Sequence, residues 1–312
     1  MGCALGAPYG FNYLDPTGPR YARACGAAEC GTRVDPEKRT FQLVSFNIKF
    51  ARHVADAVGT LRAEGLADAD VLLLQEMDWR GSEAVARCLG FNVAYYPAAL
   101  HPTSAGDFGV ALLARWPIRD DRKILLPSLS RSDAAGKAAL AATVWVNGVP
   151  VRIVNVHLQS GLSVVQLTDQ AQVVALCATE GICPPGAAAW SAAAGPVVLA
   201  GDFNTVGDTH VRALTDVLER YGLRRVEGIT NTFAVVGGLL GRRTLDHVYS
   251  SPELIVSPGS VASRREGSDH FPVSVELAVP PKAPKATPGP GAFEPSGEPP
   301  SRPSPCTVAG TD

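Results

Sequence analysis

The chain has 312 residues, 46% hydrophobic and 19% charged, which is enough apolar material for the core of one large domain. Its 28 basic and 30 acidic side chains nearly cancel. That balance disfavours a broad basic surface and tight, sequence-independent DNA binding through many phosphates, while leaving local basic patches open.

Residues 1–39 read as an irregular segment draped over the fold, because Tyr9, Phe11, Tyr13 and Tyr21 give it apolar anchors. This stretch holds no run long enough to span a bilayer, and neither the basic n-region nor the apolar h-region of a secretory signal. The opening Met-Gly-Cys resembles the end of a bacterial lipoprotein signal, with Cys3 as the lipid site and an upstream leader missing; an ordinary start followed by a chance Gly2-Cys3 pair is the alternative. The first reading makes the protein extracytoplasmic or lipid-anchored, the second cytoplasmic. Myristoylation is a weaker reading, since Gly6 stands where Ser or Thr is wanted. Of the seven cysteines, Cys25 with Cys30 and Cys177 with Cys183 are close enough for small-loop disulfides, with free buried thiols as the alternative. None has the CxxC spacing of a zinc site.

From residue 40 the pattern becomes regular. "TFQLVSFNIKF" alternates around Leu43, Ser45 and Asn47 and predicts a strand, and Val54, Ala57, Val58 and Leu61 predict a helix over 52–64. "ADVLLLQEMD" predicts a buried strand ending at Glu76, and residues 81–89 a helix; "FNVAYYP" and "FGVALLARWPI" predict further strands. In "LAATVWVNGVPVRIVNVHL" two β runs flank Asn147-Gly148, the dipeptide that supplies two positive φ values for a tight antiparallel hairpin. A helix over 163–179, the strand "PVVLAGDF", a helix over 209–221 and short strands to "FPVSVELAV" complete the pattern. The Pro/Gly/Ser-rich residues 280–312 carry almost no large apolar side chain and predict a disordered tail. Strands, helices and an antiparallel hairpin together predict an α/β layered fold with mixed sheets.

Polar residues recur at the ends of these apolar strands: Asn47, Glu76, His157, Asp202 with Asn204, Asp246, and Asp269-His270 before the last strand. Each alone could be a turn, a cap or a hydrogen-bonded core residue. Alternation places Asn155 and His157 on the face that begins with Val151 and Ile153, where they need polar partners, and it allows only one of Asp246 and His247 to face the same way. Carboxylates with two amides and two histidines at strand ends suit a magnesium site with a general acid and base beside it.

"SFNIKF", "LLLQEMD", "GVALLARWPI", "IVNVHL", "AGDFNT", "LDHVYSS" and "SDHFPV", in this order, resemble the motif series of the endonuclease/exonuclease/phosphatase superfamily, which includes pancreatic-type deoxyribonucleases, sphingomyelinases and inositol-polyphosphate phosphatases. The resemblance spans residues 40–279 and implies a four-layer sandwich, two mainly antiparallel or mixed sheets packed face to face with helices outside. It implies Mg²⁺- or Mn²⁺-dependent hydrolysis of a phosphoester, with Asn47 and Glu76 holding the metal and Asp269 as a further ligand. By the same analogy His157 and Asn204 donate to phosphate oxygens, and His270, oriented by Asp246, handles the proton of the attacking water, with Asp202 as the competing base. Lys49-Phe50 after Asn47, and "GRRTLDHVY" without an upstream Trp, depart from the abasic-site endonuclease branch. The mild acidity and a possible membrane anchor set a lipid or small phosphoester slightly ahead of nucleic acid as substrate, with association at a membrane surface and no obligate protein partner; a nuclease, and a non-catalytic binding protein on the same scaffold, are the alternatives. Arg115 reads as an exposed strand-end residue, and His53, His101 and His210 as surface residues.

Overall fold

The computed structural model describes residues 13, 15–26, 35, 37–100, 106–127, 136–185 and 195–281. Cys3, Tyr9, Phe11, Cys30, His101 and all but the first two residues of the expected tail lie outside them. The chain divides into a unit from Met1 to Pro280, described below, and a second from Pro281 to Asp312.

Eight strands make the first sheet. Their order is β1 (Tyr21–Arg23), β4 (Asn92–Leu100), β5 (Asp107–Ala114), β3 (Val71–Met77), β2 (Thr40–Asn47), β16 (Val273–Ala278) and β14 (Ile255–Val256), with β15 (Ser260–Val261) also on β16. Six make the second: β10 (Arg224–Arg225), β13 (Asp246–Ser250), β9 (Val197–Asp202), β8 (Val149–His157), β7 (Ala138–Val146) and β6 (Arg119–Leu125). A small hairpin of β11 (Phe233–Ala234) and β12 (Arg242–Arg243) is separate from both.

The alternation that makes these segments strands also fixes how they stack. Leu43, Leu73, Val110 and Leu112 of the first sheet share one buried cluster with Val144, Ile153, Val198 and Val248 of the second. The outer face of the first sheet is covered by α1 (Val54–Ala63) and α2 (Trp79–Leu89), whose Leu61 and Val85 pack with Val44 and Leu72. The outer face of the second is covered by α3 (Val164–Glu180) and α4 (Gly207–Arg220), whose Val174 and Leu218 pack with Val154 and Leu199. The result is the four-layer sandwich that the family resemblance implies. Asp78 caps α2 by accepting from Gly81 N at 2.6 Å, and Ser163 with Gln166 forms a capping box on α3, so both helices start where their sequences supply a side-chain acceptor.

Asn147 and Gly148 take φ of 47° and 72° and turn β7 into β8 as the dipeptide predicts. Elsewhere the two sheets repeat one device. β2 runs parallel to β3 through α1, and β8 runs parallel to β9 through α3, while every other strand pair among the described residues is antiparallel. Parallel pairing brings the carboxyl ends of β2 and β3 together in one sheet and those of β8 and β9 together in the other.

Cys177 and Cys183 form a disulfide with Cα atoms 4.2 Å apart, and Cys25 is also disulfide-bonded. Cys88 is exposed and free. Arg115 corrects the expectation of an exposed residue: it is buried, stacks on Phe91, and donates to the carbonyls of Ala67, Ala69, Leu89 and Gly90, so it ties strand and helix ends together. No helix among the described residues is long and apolar enough to cross a membrane.

Candidate active site

The inner-face alternation of each strand ends in a polar residue. Leu43, Ser45 and Asn47 share a face in β2; Ile153, Asn155 and His157 share one in β8; Val198, Ala200 and Asp202 share one in β9. β13 is antiparallel to β9 and pairs Asp246 with Asp202, so its first residue joins the rim where β9 ends. β16 is antiparallel to β2, which sets the preceding Asp269 and His270 beside the Asn47 end. A Cβ at Gly201 would lie 1.9 Å from the Val156 carbonyl oxygen, so glycine is what lets β9 close against β8 immediately before Asp202.

Glu76 reaches the rim by breaking the alternation. The register between β3 and β5 shifts between Gln75 and Met77, and Glu76 takes a φ of 58° at this bulge. Gln75 stays in the interior, where its Nε2 donates to Asn155 Oδ1 at 2.7 Å and to Ser45 Oγ at 3.2 Å. Asn155 Nδ2 in turn donates to the carbonyls of Leu74 and Ala111, at 2.9 and 2.8 Å. This buried polar bridge ties the two sheets directly beneath the rim and supplies the partners that Asn155 needs.

At the rim, Asn47 Nδ2 donates to Asp202 Oδ2 at 3.0 Å and to Glu76 Oε1 at 3.3 Å. The other Glu76 oxygen accepts from Phe50 N at 3.1 Å. His157 Nε2 stands 3.9 Å from Glu76 Oε1 and 3.8 Å from Asp202 Oδ2. His270 Nδ1 is 2.8 Å from Asp246 Oδ2, and its Nε2 is 3.7 Å from Asp202 Oδ2. Asp246 faces this rim while His247 faces the other way onto Thr205 Oγ1 at 2.8 Å, as strand alternation requires. Thr232 and Ser268 hold the loops: Thr232 Oγ1 accepts from Asp246 N at 3.1 Å, and Ser268 Oγ donates to the Asn47 carbonyl at 2.6 Å.

Burial, opposed by the His270 charge and assisted by Asp246, raises the Asp202 carboxyl to about 7. Burial alone would lower His270, but Asp246 and Asp202 outweigh it and bring the imidazole up to about 10. His157 is driven well below its ordinary value by burial, then by the Lys137 and His270 charges, so it is neutral and its approaches to Glu76 and Asp202 are not ion pairs.

Two expected site residues are engaged elsewhere. Asn204 gives one amide hydrogen to the Leu158 carbonyl at 2.9 Å, leaving its second amide N–H for a ligand. Asp269 is paired with Lys49 Nζ at 2.9 Å and must leave that partner to bind a cation. Asn47 turns its amide nitrogen toward the carboxylates, and its Oδ1 accepts from Lys49 N at 3.0 Å; a metal-ligating role requires the amide to turn over.

The sequence alone gives no site role to Lys49, Lys137 or the rings of Phe108 and Phe233. Lys137 Nζ lies 4.3 Å from the Phe108 ring centre, Phe108 lies 5.9 Å from the His157 ring, and Phe233 lies 4.9 Å from the His270 ring. They come from loops and strand starts where no periodicity marks a facing direction.

The donor set suits a hard divalent cation, because Glu76 and Asp202 converge on one rim and Asp246 Oδ1 is buried without a hydrogen-bond partner. Ligand atoms of Asp202, Asp246 and His270 also lie within 4.8 Å of one another, a group that overlaps the residues expected to handle the proton and not the expected ligands Asn47, Glu76 and Asp269.

All these residues lie in the stretch 44–270, which matches the model of the Endonuclease/Exonuclease/phosphatase family. The chain belongs to this family. Among solved structures, an endonuclease/exonuclease/phosphatase from Beutenbergia cavernae is 20% identical, with 78% of this chain and 72% of that one covered and a TM-score of 0.57. A humanized D. rerio TDP2 is 17% identical, with 77% and 99% covered and a TM-score of 0.59. Sphingomyelinase C from Streptomyces griseocarneus is 16% identical, with 77% and 99% covered and a TM-score of 0.57. At these identities the likeness is one of fold. No curated protein sequence matches the chain. Members of the Endonuclease/Exonuclease/phosphatase family are phosphoester hydrolases that generally use divalent metals, and the buried Asp202, Asp246 and His270 group could hold one.

Proposed function

We propose that the protein is a Mg²⁺- or Mn²⁺-dependent phosphoester hydrolase acting on a lipid or small phosphoester in preference to DNA. The observation that carries the hydrolase reading is the line Asp246, His270, Asp202, in which one imidazole has a carboxylate at 2.8 Å on one nitrogen and another at 3.7 Å from the second; the preference over DNA rests on the near balance of 28 basic and 30 acidic side chains. Asp246 fixes the ring so that Nε2 faces the rim. Flanked by two carboxylates, His270 is held as the imidazolium and donates to a phosphoryl oxygen, and Asp202 is the base that takes the proton of the attacking water. His157, neutral and buried, adds a donor, and the free amide hydrogen of Asn204 adds another. Glu76 and Asn47 would hold the cation, with Asp269 as a further ligand; when bound, it would polarise the phosphoryl group and offset the clustered negative charge.

The test is hydrolysis of bis-p-nitrophenyl phosphate, sphingomyelin and plasmid DNA, each with and without EDTA. Magnesium-restored turnover on either of the first two, exceeding plasmid nicking, supports the reading. Undiminished turnover in EDTA removes the metal from it, and faster nicking of plasmid makes the protein a nuclease.

A further inference from the structure

The β11–β12 hairpin presents a second surface beside the rim. Val236, Leu239 and Leu240 at its tip are 62%, 87% and 72% exposed. Residues 233–243, "FAVVGGLLGRR", contain no acidic side chain, and the two arginines that follow the tip, Arg242 and Arg243, are exposed and pair with no carboxylate among the described residues. Val236 holds a φ of 46°, a conformation costly for a β-branched residue, while its side chain points into solvent.

The base of this hairpin is built into the site. Phe233 forms a backbone bridge with His270, and Ala234 N donates to the Asp269 carbonyl at 2.9 Å. Arg265 Nη2 donates to the Gly237 carbonyl at 3.2 Å, and Arg242 stacks 4.1 Å over the Phe271 ring. Anything that seats on the tip is therefore held next to the proposed proton-handling pair.

We propose that this hairpin docks the protein onto an anionic lipid surface, its aliphatic tip entering the boundary between headgroups and acyl chains and Arg242 and Arg243 meeting lipid phosphates. The chemistry selects this occupant. An aliphatic tip flanked by cations matches an interfacial anchor, which buries apolar side chains about 5–10 Å deep and gains from nearby Lys or Arg. A single-stranded nucleic acid would want rings to stack on, and the tip has none. A stable protein interface covers about 800 Å² on each partner, far more than three side chains provide. In naming the plane from which a lipid phosphoester reaches His270, the inference rests on the proposed hydrolase reading; surface binding itself does not.

The experiment is vesicle co-sedimentation of the full chain in EDTA, with phosphatidylcholine vesicles with and without phosphatidylglycerol, alongside bis-p-nitrophenyl phosphate turnover in magnesium. The unsubstituted protein is expected to sediment with the phosphatidylglycerol-containing vesicles, less so in high salt. The exposed double variant Leu239→Glu, Leu240→Glu is expected to bind at least about tenfold more weakly with turnover on the soluble ester unchanged, and Arg243→Glu to lose the phosphatidylglycerol preference. Equal sedimentation of the double variant overturns the proposal. So does absence of vesicle binding, whether or not the same substitutions abolish binding of a labelled single-stranded oligonucleotide or self-association. Vesicle binding without turnover would leave the docking surface standing and defeat the hydrolase reading alone.

Discussion

Asn47 Nδ2 and Asp202 Oδ2 meet at 3.0 Å although they end strands of opposite sheets and lie 155 residues apart. The candidate site is thus a product of sheet docking. No short segment contains it, and its geometry is set by the core below.

Removing the charge that orients the imidazole should be visible directly. In the metal-free protein His270 is expected to titrate near 10, and Asp246→Asn should move it down toward the ordinary imidazole range. The same substitution should lower turnover by at least about 10²-fold. Histidine NMR titration and steady-state kinetics measure the two effects; an unmoved titration would show that Asp246 does not set the ring's charge.

Glu76→Gln keeps the size of the side chain and removes its charge. Magnesium titration of activity should then shift to at least about tenfold higher concentration, with turnover depressed at saturation. An unaltered magnesium requirement would take Glu76 out of the cation site.

Acid should destabilise the fold through His247. Burial, with the Arg225 charge second, lowers this imidazole to about 3, below its unfolded value of 6.5. As pH falls below about 6.5 the unfolded chain binds the proton first, so stability is lost between about 6.5 and 3, at up to about 1.4 kcal/mol per pH unit. Urea unfolding at pH 7, 5.5 and 4.5 should show a shallower decline in His247→Gln than in the unsubstituted protein. Parallel declines would mean that His247 is not the titrating group.

Asn155→Ala deletes the buried bridge between the sheets. It leaves Gln75 Nε2 with weaker partners and frees the carbonyls of Leu74 and Ala111, at an expected cost of about 1–3 kcal/mol per stranded group. Urea denaturation measures it, and a change under about 0.5 kcal/mol would show that the bridge is energetically idle.

Much of this is legible in the sequence because strands encode facing direction with a period of two. The inner-face positions of Asn47, Asn155 and His157, the opposed directions of Asp246 and His247, and the hairpin at Asn147-Gly148 all follow from that period. Glu76 could be named but not aimed, since its direction depends on a bulge against β5, a partner remote in sequence. The Lys49 partner of Asp269, the Leu158 partner of Asn204 and the burial of Arg115 likewise arise only when distant loops pack. The pairing of Cys177 with Cys183 was one of two open readings, and spacing alone did not decide it.

The Gln75–Asn155 bridge also constrains how this pocket can change. With the opposing β-layers pinned just below it, the gap between Glu76 and Asp202 cannot widen to admit a bulkier group without severing buried amide contacts. Selectivity has to be adjusted around the mouth instead, so libraries meant to alter it belong in the loops that follow β2 and precede β16, residues 49–53 and 263–268, with the strands left untouched.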